Sequence, residues 1–138
     1  QASTSLGASG IHGRTVADAE STLENLRQIC AATDLPVNAD LENCFADASE
    51  DAAKMMAQGC EAGAVGALIE DATGLRDAPI YDFDLTVERV QAAVEAVRTL
   101  DIPFTLTARA EGLLYRHGDI DDIIKRLCAF EDAGADCL

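Results

Sequence analysis

Asp34-Leu35-Pro36-Val37-Asn38-Ala39-Asp40 decides the fold, because its first four residues are echoed downstream by Asp101-Ile102-Pro103-Phe104. A proline at the mouth of an extended run is tolerated, since the N–H it lacks is not yet needed by a sheet ladder. Val37–Asp40 is therefore read as a strand, with residues 104–108 as its later counterpart. A second echo marks what comes before a strand: Glu61-Ala62-Gly63-Ala64 returns as Asp132-Ala133-Gly134-Ala135. Gly63 can take the left-handed conformation that closes a helix. Each interval between echoes holds two strand–helix units, the spacing of a (β/α) barrel or a doubly wound sheet.

Working outward, Ala19, Leu23, Leu26 and Cys30 recur at three- and four-residue steps and predict a helix over residues 16–32. Ser21 and Glu24 are spaced like a capping box, and Asp47 and Glu50 offer a second box for the next helix. In that helix Ala52, Met56 and Cys60 share a face, and Met55-Met56 sits at core spacing. Residues 65–69 follow as a strand, and residues 71–82, with Gly74 and Pro79, read as a long loop of the kind that is commonly functional. Asp84 is expected to cap a helix bearing Val87, Val90, Val94 and Val97. Asp119 opens another with Ile120, Ile123, Ile124, Leu127 and Phe130, and residues 135–138 begin one more strand.

An eight-stranded (β/α)8 barrel needs about 250 residues. The 138 residues are thus expected to be a single domain, 1–138, holding about half of a TIM barrel built from parallel strand–helix units. The alternative is a complete, small open sheet of flavodoxin-like type. Composition suits either α/β form: with 49% apolar but only 4% aromatic residues, the core must be Ala, Val, Leu and Ile, whereas an all-β sandwich would need more aromatic and turn residues.

A net charge of −15, from 25 Asp and Glu against 10 Lys and Arg, repels phosphates and anionic membranes, which argues against nucleic-acid binding. No apolar run is long enough to span a bilayer, and no basic segment followed by an apolar run suggests a secretory signal. Cys30, Cys44, Cys60, Cys128 and Cys137 include no Cys-x-x-Cys pair and no histidine at zinc spacing. A reduced, cytoplasmic protein is the expectation.

The charges that interrupt the apolar strands fall at their C-terminal ends: Asp40 and Glu42, then Glu70 and Asp71, then Arg109 and Glu111. In barrels that rim carries the active site. Side by side, these ends would gather four or five carboxylates around one guanidinium, a hard-oxygen environment suited to Mg²⁺ with retained waters. Each carboxylate taken singly is as readily the N-cap of the following helix. His117, in the loop after the Arg109 strand, is on the correct face to act as an acid or base, although a surface histidine is its default reading, as it is for His12.

Three of these rim segments carry a resemblance. Leu35-Pro36-Val37-Asn38-Ala39-Asp40-Leu41-Glu42-Asn43, Gly66-Ala67-Leu68-Ile69-Glu70-Asp71 and Thr107-Ala108-Arg109-Ala110-Glu111, with Ser5-Leu6-Gly7 near the start, resemble the isocitrate lyase and phosphoenolpyruvate mutase superfamily. The resemblance implies a (β/α)8 barrel that holds Mg²⁺ and a small 2-oxo acid or its enolate at the C-terminal face, and makes or breaks carbon–carbon or carbon–phosphorus bonds. By position it implies Asp40, Glu42 and Glu70 as metal-site carboxylates, held partly through water. It implies Arg109 as the cation that neutralises substrate charge. Glu111 and His117, which follow the same strand, are further catalytic candidates by their place on that face.

Departures from the family pattern set further expectations. Gly10 stands where the family places an aspartate beside the metal, and residues 72–82 contain none of the Lys, Cys or His of the lyases' catalytic loop. Chemistry of the isocitrate lyase type is therefore disfavoured. The family's Gly-aromatic-Gly turn is here Cys44-Phe45-Ala46, and the replaced glycines are expected to restrict conformations that need φ > 0. Cys44 reads as an inert replacement, with no His or Lys near it in sequence to activate the thiol. A half-barrel would also leave strand edges and apolar surface to be covered, so a homo-oligomer, or a non-catalytic assembly that self-associates, is the rival expectation.

Overall fold

The computed structural model of the protein describes residues 2–3 and 18–138. Leu6-Gly7, Gly10, His12 and the first residues of the expected opening helix lie outside the described residues. Strand β1 (Ala2–Ser3) is followed by α1 (Ala19–Ala31), β2 (Val37–Asp40), α2 (Ser49–Glu61), β3 (Gly66–Glu70), α3 (Phe83–Arg98), β4 (Thr105–Arg109), α4 (Gly112–Tyr115) and α5 (Ile120–Asp132). The strands form one sheet in the order β1-β2-β3-β4, and each neighbouring pair is parallel. A further parallel bridge joins Thr107 to Cys137 beside β4.

Strand order and burial together separate a barrel from an open doubly wound sheet. A flavodoxin-like sheet puts its first strand inside the order, with helices on both faces. Here the strands follow chain order, and one face alone is fully covered. Val37, Ala39, Ala67, Ile69, Leu106 and Ala108 are buried in a core shared with Leu26 of α1, Met56 of α2, Val90 and Val97 of α3, and Phe130 of α5. The alternate residues Asn38, Asp40, Leu68, Glu70, Thr107 and Arg109 are only partly buried and face the opposite side. The architecture is that of a partial (β/α) barrel, with helices outside and the alternate residues on the barrel-facing side. No helix among the described residues is long and apolar enough to cross a membrane.

Several local expectations are corrected. Helix α1 is capped by Asp18, whose carboxylate accepts the Ser21 N–H at 2.8 Å, not by a Ser21–Glu24 box. Asp47 does not cap α2; Ala48 holds that position, and Asp47 accepts a hydrogen bond from the Tyr81 hydroxyl. Asp82 rather than Asp84 stands at the N-cap of α3. In α5, Asp119 is the cap as expected, accepting the Asp122 N–H, but Ile120 and Ile124 are exposed. The four-residue helix α4 was not expected, because one turn carries no periodicity to read.

Candidate functional site

The strand register builds the site. Glu70 of β3 lies opposite Arg109 of β4, while Asp40 at the end of β2 is level with Leu68. Because side chains alternate, Asp40, Glu70 and Arg109 all emerge on the barrel-facing side of the sheet. Arg109 is the centre. Its Nη1 lies 3.4 Å from Asp40 Oδ2 and its Nη2 3.5 Å from Glu70 Oε2, while Nε and Nη2 both reach Glu111 Oε1. About a third of the Arg109 side chain (35%) remains open to solvent, so the fork is held without being sealed.

Glu42 joins this group at longer range. Its N–H donates to Asp40 Oδ1 at 3.1 Å, and its carbonyl accepts the Glu70 N–H at 3.0 Å, which extends the β2–β3 ladder one step past the strands. Burial pushes the Glu70 carboxyl up to about 7; Arg109 opposes the rise, and the charges of Glu111, Asp40 and Glu42 add to it. Burial would lower the Arg109 pKa, but hydrogen bonding and attraction from Glu111, Glu70 and Asp40 hold it above its ordinary value. Tyr115, at the end of α4, is also raised, by burial and then by Glu70, Glu111 and Glu42. This phenol beside the acidic rim went unnoticed in the sequence, where nothing marks a turn of helix after Glu111.

Asp71 leaves the expected group. One residue beyond Glu70, it falls on the opposite parity and turns into the helix layer, where it is 2% exposed. There it accepts the Glu111 N–H at 2.7 Å and pairs with Arg126 of α5 at 3.3 Å. Arg126 also donates to the Tyr81 carbonyl at 3.0 Å. Asp71 therefore anchors the backbone at Glu111 from behind rather than facing the rim. His117 is exposed in the loop after α4, its N–H bonded to the Gly112 carbonyl at 2.8 Å.

The turn after β2 overturns the expectation that lost glycines restrict it. Glu42, Cys44 and Phe45 all adopt positive φ, 52°, 60° and 54°, although none is glycine. Left-handed residues of this kind cost about 1 kcal/mol or more each and persist only when their surroundings hold them. The holding group is Arg89 of α3, 1% exposed, which donates to the carbonyls of Asn43 (2.6 Å), Ala46 and Asp47 (2.7 Å). Its guanidinium lies 4.4 Å from the centroid of the Tyr81 ring. Bonds from a charged donor contribute about 1.5–3 kcal/mol each, enough to offset the strain. Cys44 is buried in this turn and its thiol is pushed up to about 12 by burial, in keeping with an inert side chain. Arg89 had a signal in the sequence that went unread: it stands four residues before Ala93 and eight before Val97, on the apolar stripe of its helix.

Parallel strands that end together on an acidic, arginine-centred rim define a partial (β/α) barrel, a class of fold in which active sites lie at the C-terminal face. The chain belongs to the phosphoenolpyruvate phosphomutase family, whose model matches residues 2–138. Among solved structures it is similar to a candidate lyase/mutase from Burkholderia cenocepacia J2315, at 52% identity and a TM-score of 0.84, covering 87% of this chain and 43% of that one. It is similar to a phosphonopyruvate hydrolase in complex with oxalate and Mg²⁺, at 27% identity and a TM-score of 0.79, covering 88% and 42%. A 2,3-dimethylmalate lyase, described as a member of the phosphoenolpyruvate mutase and isocitrate lyase superfamily, matches at 27% identity and a TM-score of 0.79, covering 94% and 46%. The chain thus spans less than half the length of these three structures. No curated protein matches it.

Proposed function

We propose that the protein acts with Mg²⁺ on a small 2-oxo acid, making or breaking a carbon–carbon or carbon–phosphorus bond through an enolate-type intermediate. One observation carries this reading: the guanidinium of Arg109 meets carboxylates from Asp40, Glu70 and Glu111 at the ends of neighbouring strands. Glu42 lies close enough to act on Glu70 electrostatically, so the described residues gather carboxylate oxygens of the hard-donor kind that suits a divalent ion. Among the described residues no group of three His, Cys, Asp or Glu side chains forms a ready metal cage. The donor chemistry nevertheless fits Mg²⁺, which keeps several waters and needs only one or two direct carboxylates. Asp40, Glu42 and Glu70 would hold it, partly through water.

Bound Mg²⁺ supplies Lewis-acid polarisation of the 2-oxo acid's oxygens. Arg109 supplies the complementary charge: its partly open fork binds the substrate carboxylate and stabilises enolate charge as it develops. Glu111 keeps that fork oriented, its own backbone fixed by Asp71. Tyr115, close enough to feel the charges of Glu70 and Glu111, is available for proton transfer, and the exposed His117 in the loop after α4 is a second candidate. The phosphonopyruvate hydrolase neighbour, holding oxalate and Mg²⁺, supports the ligand class. A screen of oxaloacetate and related 2-oxo acids with and without Mg²⁺ tests the reading; turnover that needs the metal and is lost in Glu70→Gln is expected, and metal-independent turnover would refute it.

A second reading, a non-catalytic module that self-associates, is favoured by the exposed Leu113 and Leu114 of α4 and Ile120 and Ile124 of α5. Sedimentation distinguishes it: a homo-oligomer without Mg²⁺-dependent turnover would replace the enzymatic proposal.

A further inference from the structure

We propose that Arg89, remote from the barrel-facing side of the sheet, is a positioning residue that fixes the metal-site segment 40–45 by holding its left-handed turn; this rests on the reading of Asp40 and Glu42 as Mg²⁺-site carboxylates. Arg89 belongs to α3, in the strand–helix unit that follows the segment it controls, and is almost wholly buried. Its two terminal nitrogens grip three backbone carbonyls, those of Asn43, Ala46 and Asp47. Tyr81 completes the clamp. Its ring stacks on the guanidinium, its hydroxyl donates to Asp47, and it accepts from the Asn43 amide at 3.3 Å.

What the clamp holds is a backbone that its own residues disfavour, with Glu42, Cys44 and Phe45 all at positive φ. The segment is continuous with the site at both ends. The Cys44 N–H donates to the Leu41 carbonyl at 2.7 Å, between Asp40 and Glu42, and the Glu42 carbonyl receives the Glu70 N–H. A turn that relaxed toward right-handed conformations would therefore swing Glu42 and withdraw the hydrogen bond that keeps Glu70 level with it. Outer residues that orient metal-binding side chains in this way matter about tenfold to a hundredfold in metal affinity.

The test compares Arg89→Lys, the double variant Arg89→Lys with Cys44→Gly, and the control Arg98→Met. Arg98 donates to the Phe104 and Gly134 carbonyls and pairs with Asp136, near the opposite, N-terminal end of β4. Two readouts are used: amide exchange at Cys44 and Glu70 without metal, and Mg²⁺ affinity by calorimetry. Arg89→Lys is expected to speed exchange at both amides and to weaken Mg²⁺ binding by about tenfold or more. Glycine at position 44 takes the left-handed conformation without strain, so the double variant should recover much of both losses. Arg98→Met should leave both within about twofold of the unaltered protein.

Unchanged exchange in Arg89→Lys, or an equal effect from Arg98→Met, would overturn the proposal. If Arg89→Lys does not fold, the double variant is expected to fold where the single one fails, and failure of both overturns it as well. Should the unaltered protein take up no Mg²⁺, the functional reading falls, while the exchange comparison still decides whether Arg89 holds the turn.

Discussion

Replacing Glu70 by glutamine should alter how stability depends on pH, in a direction the geometry dictates. Glu70 sits at the end of β3 with its side chain only 16% exposed, and its carboxyl is raised from 4.5 to about 7, chiefly by burial. The folded protein therefore binds this proton more tightly than the unfolded chain. The stability that the proton confers is complete below about pH 4.5 and is lost as pH rises through 7. The difference corresponds to about 3 kcal/mol. Glutamine copies the neutral form and does not titrate. In urea unfolding with EDTA present, Glu70→Gln should thus gain about 3 kcal/mol on the unaltered protein between pH 4.5 and pH 8. Added Mg²⁺ should narrow that gap at pH 8, because a cation stabilises the carboxylate that only the unaltered protein carries. Parallel stability curves for the two proteins across this range would refute the reasoning.

Other outcomes follow from the buried groups. Arg126→Met removes the cation paired with the buried Asp71 and should cost about 3 kcal/mol in urea unfolding. The double change with Asp71→Asn should cost clearly less than Arg126→Met alone. Cys44, buried and with its thiol near 12, should resist alkylation at pH 8 until the protein unfolds, while the exposed Cys128 reacts at once; mass mapping of the labelled peptides checks this. Leu26→Ala, at a fully buried core position, should lower stability by about 3 kcal/mol while leaving Mg²⁺ affinity unchanged.

Strand positions were legible because a proline and an echoed tetrapeptide marked their entries, and β2 falls on the residues expected of it. β3 and β4 begin one residue later than read, since a ladder starts where a neighbouring strand offers a partner, which no local pattern records. The carboxylate rim was legible from the charges that close each apolar run. What one chain position could not show was parity: Asp71 looks equivalent to Glu70 in sequence, yet alternation sends it into the helix layer. The caps misread at Asp47 and Asp84 are of another kind, since Asp47 had a distant competitor in the Tyr81 hydroxyl. The glycine argument at 44–46 failed because a local rule met a tertiary constraint, a buried arginine from α3.

In the proposed function, Asp40, Glu42, Glu70 and Arg109 at neighbouring strand ends serve as one site for a metal ion and a carboxylate. Calorimetric titration of oxalate, with and without Mg²⁺, tests it most directly. Oxalate binding that requires Mg²⁺ and disappears in Arg109→Met, with Mg²⁺ binding itself retained in that variant, is the outcome expected. Oxalate affinity indifferent to both the metal and Arg109 would contradict it.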